Sequence, residues 1–124
     1  MKNLLMLICV FLGVTVGNAQ KAFETVNYVL NYDNSRIKLI VSDGYPEGSR
    51  IEIINKNNKT IGIYLPDAIN SDYNTLRFNR VNAKENDSYF MLYDVDHVFN
   101  MLPSSVGLIY YKGKDPIELR LKRK

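Results

Sequence analysis

Apolar residues recur at every second position through much of this chain, most clearly in residues 50–65. Ile51 and Ile53 alternate with Arg50 and Glu52, and Ile61, Ile63 and Leu65 alternate with Gly62 and Tyr64. Successive side chains of a strand point to opposite faces, so each arm offers one apolar stripe. Pairing the arms with both stripes on one side places Ile53 opposite Ile61 and Ile51 opposite Ile63. A slip of one residue turns one stripe to water. That parity needs an odd loop, and Lys56-Asn57-Asn58 between Asn55 and Lys59 supplies one. Three-residue hairpin loops end in the left-handed region, which Asn tolerates. The reading therefore predicts a central hairpin with Ile53 and Ile63 in the core and Tyr64 facing outward.

The same period returns along the rest of the chain. Val26, Tyr28, Leu30 and Tyr32 share one face of a strand, and Ile37, Leu39 and Val41 share one face of the next. Asp33-Asn34-Ser35 between them is turn chemistry, because short polar side chains bond their own backbone. Two glycines and a proline in residues 42–48 break the sheet. Pro66 is expected to end the central hairpin, with a polar loop over 67–73. Strands follow at 75–81 (Leu76 and Phe78 inward, Arg77 and Asn79 outward), 89–93, 106–111 and 117–121, with turns at 83–87 and 112–116. Val95, Val98, Phe99 and Leu102 instead recur at helical spacing, which predicts a short helix over 94–102 capped by Asp94 and ended by Pro103. Seven to eight short antiparallel strands with little helix describe an all-β fold. The expected form is a β-sandwich, Ig-like in architecture only, with a small β-barrel as the alternative. No resemblance to a known family emerges from these residues.

The N-terminus has a different character. Lys2 precedes a nearly unbroken apolar run from Leu4 to Val16, and Gly17-Asn18-Ala19 fits a small-x-small cleavage site. Residues 1–19 are read as a secretory signal peptide, leaving a single domain over 20–124 that is secreted or periplasmic. The short basic start suits a bacterial envelope protein. Cys9, the one cysteine, lies inside the apolar run after Ile8. The expected mature chain thus has no disulfide, no thiol chemistry and no cysteine-ligated zinc. The net charge of +3 includes Lys2, and so mild an excess does not point to nucleic acid. No later apolar run is long enough for a membrane span.

Few residues point to chemistry. Asp94, Asp96 and the single histidine, His97, place two carboxylates and an imidazole on one short segment, a set that suits a metal. The plainer reading is helix capping and solvation. No phosphate loop, dinucleotide fingerprint or nucleophile elbow is present, and no cofactor is expected. The nine tyrosines all follow residue 19. Tyr28 and Tyr32 fall on a core stripe, and one of Tyr110 and Tyr111 must face out. Tyr45, Tyr64 and Tyr111 are the candidate ligand-binding residues, since exposed tyrosine gives rigid amphipathic contact area. The basic end, Arg120 to Lys124, is read as guarding an edge strand. Asn58-Lys59-Thr60 and Asn86-Asp87-Ser88 match the glycosylation pattern.

These observations describe a small exported binding or interaction module without a catalytic centre, whose partner is a protein or a cell-surface glycan. An inhibitor of an extracellular enzyme, acting through the 43–48 loop, is a second reading. A small secreted hydrolase or metal-dependent enzyme using His97 is a third. Oligomeric state is not legible.

Overall fold

The computed structural model describes residues 24–82, 87–113 and 115–124. The expected leader, its cleavage site and Cys9 lie outside the described residues, as do most of the turn at 83–87 and Asn86 of the second glycosylation pattern. Eight strands are present: β1 (Thr25–Tyr32), β2 (Ser35–Ser42), β3 (Arg50–Ile54), β4 (Thr60–Asn70), β5 (Thr75–Arg80), β6 (Tyr89–Tyr93), β7 (Ser105–Tyr111) and β8 (Pro116–Arg123). One helix, α1 (Val95–Met101), lies between β6 and β7. Each strand pairs antiparallel with the next, and β8 returns to β1 to close a barrel.

The all-β antiparallel fold with one short helix is as expected, but the sandwich is not. Because every strand neighbours its sequence successor, only β1 and β8 are left as edges, and they join through Tyr28↔Arg123 and Val29↔Lys122. Closure removes both edges. It also corrects the reading of the basic end as an edge guard. β8 is paired on both sides, the Arg123 amide donates to the Ser104 carbonyl, and its guanidinium donates to the Leu102 carbonyl at 2.8 Å.

Inward positions of all eight strands fill the barrel, as befits a barrel of this strand number. Tyr28, Leu39, Ile51, Phe78, Phe90 and Leu121 are among the fully buried side chains. Leu76 and Phe78 face inward, as alternation predicts, and Tyr110 is buried while Tyr111 is not. Charges sit on the outer wall at Lys38 on β2 and at Glu118, Arg120 and Lys122 on β8, where a membrane-spanning barrel carries an apolar band.

The helix stoppers one end of the barrel with Val95, Val98 and Phe99. Asp94 does not cap it through its side chain; it sits in the left-handed region at φ 55°. Asn74, from the β4–β5 turn, takes that role. Its carbonyl accepts from the Val95 amide at 3.2 Å, and its side-chain Oδ1 accepts from the Asp96 amide at 3.1 Å. Orphan N–H groups at a helix start need such acceptors from wherever the fold supplies them. Two further ties hold this end: the Gly44 amide donates to the Phe99 carbonyl, and the Tyr28 hydroxyl donates to the Pro103 carbonyl at 2.7 Å.

The β3–β4 hairpin forms with the expected loop. The Asn55 amide donates to Lys59, and Asn58 has φ 61°. The facing of β4 is nevertheless reversed. Ile54 pairs with Thr60, but Ile53 pairs with Gly62, Glu52 with Ile63 and Ile51 with Tyr64. A bulge between Ile53 and Ile54 leaves Ile61 without an opposite number, and one extra residue inverts every side chain beyond it. Gly62 and Tyr64 therefore face the interior. Ile61, Ile63 and Leu65 face out at 50%, 40% and 47% exposure, whereas Tyr64 is 1% exposed. Nor does Pro66 end the strand. β4 continues to Asn70 across an irregularity between Pro66 and Ile69, the kind of place where a sheet accepts proline.

Candidate binding recess at the open end of the barrel

The end opposite the helix is bordered by the β1–β2 and β3–β4 turns and by the described ends of the β5–β6 and β7–β8 connections. The first is a two-residue turn in which Asp33 and Asn34 both have positive φ, at 49° and 60°, as the twist of a tight hairpin favours. Between these connections lies a recess of about 270 Å³, near the small end of ligand pockets.

Its walls follow from the alternation. Ser35, Arg80, Ser88 and Lys112 each stand two positions from an inward apolar residue, namely Ile37, Phe78, Phe90 and Tyr110. The inward stripe therefore turns polar over its last step before the mouth. All four line the recess, with Tyr32, Tyr64 and Tyr110. Ile37 and Ile53 supply apolar wall, and Gly62 supplies space. A Cβ built on Gly62 would meet Tyr64 Cε1 at 3.5 Å and Ile53 Cβ at 3.8 Å. These are ordinary contacts, so the missing side chain is what leaves the room.

An aromatic cluster packs at this end. Phe90 stacks on Tyr110 at 4.4 Å between centroids and meets Tyr64 edge-on at 4.8 Å; Tyr32 meets Tyr110 edge-on at 6.5 Å. These are favoured ring geometries. The Tyr64 hydroxyl and Ser88 Oγ share a hydrogen bond of 2.6 Å. Burial raises the Tyr64 phenol above its ordinary value of 10.0, partly offset by the bond to Ser88. It is thus a neutral hydroxyl at physiological pH. Arg80 is exposed and anchored at the rim, its Nη2 donating to the Ile61 carbonyl at 3.3 Å.

A broader groove of about 450 Å³ adjoins the recess, lined by residues 31–36 and by Ile54, Asn55, Lys56 and Asn58. Its asparagines serve the turns. Asn34 and Asn58 occupy left-handed positions, and Asn55 Oδ1 accepts from the Asn57 and Lys59 amides.

The sequence-derived candidates are scattered over the fold. Tyr64 lines the recess from inside, so its outward placement is corrected while its place at a cavity is a new finding. Tyr45 lies in the loop after β2, its ring against Gly48, where a Cβ would come within 2.7 Å. Tyr111 is on the outer wall, stacked on Tyr89 at 4.6 Å, with Arg77 3.7 Å above the other ring. A hydrogen bond with Tyr93, then burial, raises the Tyr111 phenol. Asp94, Asp96 and His97 are exposed at the helix end, and no group of three or more metal-ligating side chains assembles among the described residues.

Among the mouth residues, Arg80, Ser88 and Lys112 were not singled out from the sequence. A usable signal was present: polar residues at inward parity, one step beyond the apolar stripe. Which strand ends share the mouth follows only from the topology. Compared with known proteins, the chain matches no family model, no curated protein and no solved structure.

Proposed function

We propose that this protein is a non-catalytic binding module of the cell envelope or extracellular space, and that it binds at the open end of the barrel. The observation that carries the reading is the convergence of three tyrosines, Ser88, Arg80 and Lys112 on a recess kept open by Gly62. Polar groups placed over an apolar wall in the mouth of a barrel are the usual makings of a small-ligand site. Action outside the cytoplasm rests on the leader-like N-terminus.

The test is an amide-resolved NMR screen of the domain against a mixed library of small molecules and oligosaccharides. The expected result is saturable shifts confined to Tyr32, Gly62, Ser88 and Lys112 and their neighbours. Hits that instead move the amides around His97, or those of the Tyr89–Tyr111 ladder, overturn the assignment of the mouth.

A further inference from the structure

We infer that the recess receives an anionic head group carried on a short apolar body, an inference that rests on the mouth being the binding site. The charge at the rim is unequal. Among the described residues, Arg80 and Lys112 line the recess against one carboxylate, that of Asp33. Arg80 already donates through Nη2 to the Ile61 carbonyl, which fixes the guanidinium at the rim with further N–H groups to offer. The hydroxyls of Ser88, Tyr64 and Tyr110 are linked through Tyr64, which bonds both of the others, so two of their three protons are used and one is left to donate. Two cations and a neutral hydroxyl donor around one small space match an anion with two or three acceptor oxygens, and charge-assisted hydrogen bonds are the strong kind.

The lower wall demands the opposite chemistry. Ile37, Ile53 and the space over Gly62 present no polar side chain, and Phe90, one inward step below Ser88, is wholly buried. A fully hydrated anion gains nothing from such a wall, whereas a compact ring or short aliphatic group does. About 270 Å³ admits such a body.

The experiment titrates the domain with benzoate, its neutral isostere benzamide, phenyl phosphate and inorganic phosphate, following amide shifts. Benzoate or phenyl phosphate should bind saturably at Gly62 and Ser88, at least tenfold more tightly than benzamide and inorganic phosphate respectively. Whichever of the two binds more tightly identifies the head group as carboxylate or phosphate. Arg80→Gln and Lys112→Gln, both at exposed positions, should each weaken binding by about threefold to tenfold, and raised salt should do the same. Gly62→Val should abolish binding by filling the recess. Gly62→Ala, whose Cβ fits without displacing a neighbour, should weaken it and guards against a folding failure of the larger variant. Equal affinity for benzoate and benzamide at the mouth overturns the anionic head group but leaves the mouth a binding site. Inorganic phosphate binding as tightly as phenyl phosphate overturns the apolar body. Saturable binding that survives Gly62→Val, or no mouth shift with any probe, overturns the inference altogether.

Discussion

Tyr28 and Tyr64 are both inward-facing tyrosines with no more than 1% exposure, yet their hydroxyls are used differently at the two ends of the barrel. At the helix end, the Tyr28 hydroxyl donates to the Pro103 carbonyl and ties β1 to the segment after α1. At the mouth, the Tyr64 hydroxyl bonds another side chain, that of Ser88, beside a recess. A bond to a backbone carbonyl fixes the path of the chain. A bond between two hydroxyls can be rearranged around a third partner without moving any strand. The helix end is thus built to be closed, and the mouth is built to exchange contacts.

The largest effect that would separate the ends is expected at the stopper. Phe99 is buried among Val95, Val98 and the barrel core, and Phe99→Ala should cost about 3–5 kcal/mol in denaturant unfolding. A loss below about 1 kcal/mol would show that the helix merely covers an already closed end. Tyr28→Phe comes next. It removes one hydrogen bond and leaves the Pro103 carbonyl without it, at about 1–2 kcal/mol. Tyr64→Phe should cost less, below about 1 kcal/mol, because Ser88 lines the recess and its hydroxyl can turn to another partner, whereas the Pro103 carbonyl is fixed in the backbone. If Tyr64→Phe proves costlier than Tyr28→Phe, the contrast between the ends is reversed.

Titration sharpens the same comparison. Burial raises both the Tyr28 and the Tyr64 phenol above 10.0, with Arg123 opposing the rise at Tyr28. Each group therefore holds its proton more tightly folded than unfolded. The stability this represents is fully present below about pH 10 and is lost as pH rises through the folded values. The fall in unfolding free energy above pH 10 should be shallower in either Tyr→Phe variant than in the parent, and an unchanged slope in both would remove these two phenols as its cause. The smallest effect is expected outside the barrel. Ile63 is exposed, so Ile63→Ala should change stability by no more than about 0.5 kcal/mol. A loss of 2 kcal/mol or more would restore the facing that simple alternation predicts.

That last test marks where the sequence stopped being legible. Strand positions, the short helix and the left-handed Asn58 all follow from local chemistry, from period and turn residues within a few positions of each other. The facing of β4 does not, because one bulge between Ile53 and Ile54 overrides the parity of everything after it. Three aliphatics at alternate positions looked like a core stripe, yet the fold buries Gly62 and Tyr64 instead. The larger ring beside an empty position better fits a small barrel interior, a comparison that single-strand alternation does not make. The helix cap was missed for a related reason. Asn74 is distant in sequence from most of the helix it caps, and its role appears only when the β4–β5 turn meets α1. Of the candidate site, Tyr64 was named for the wrong face, and its companions came together only through closure.

Closure also bears on the order of events as the chain is made. Seven of the eight strand pairings join neighbours along the sequence, six across a loop and β6–β7 across α1, and need only local segments to be brought together. The eighth joins Tyr28 and Val29 to Arg123 and Lys122, across almost the whole domain. Bringing such distant segments together carries the largest loop-closure entropy in the fold. Until residues 116–124 are available, the growing chain has two unsatisfied strand edges, on β1 and β7, able to pair with another chain. Removal of Lys122 and Arg123 alone would take away both residue pairs between β8 and β1 and leave those two strands as edges, so these residues matter more to the fold than their exposed, basic character suggests.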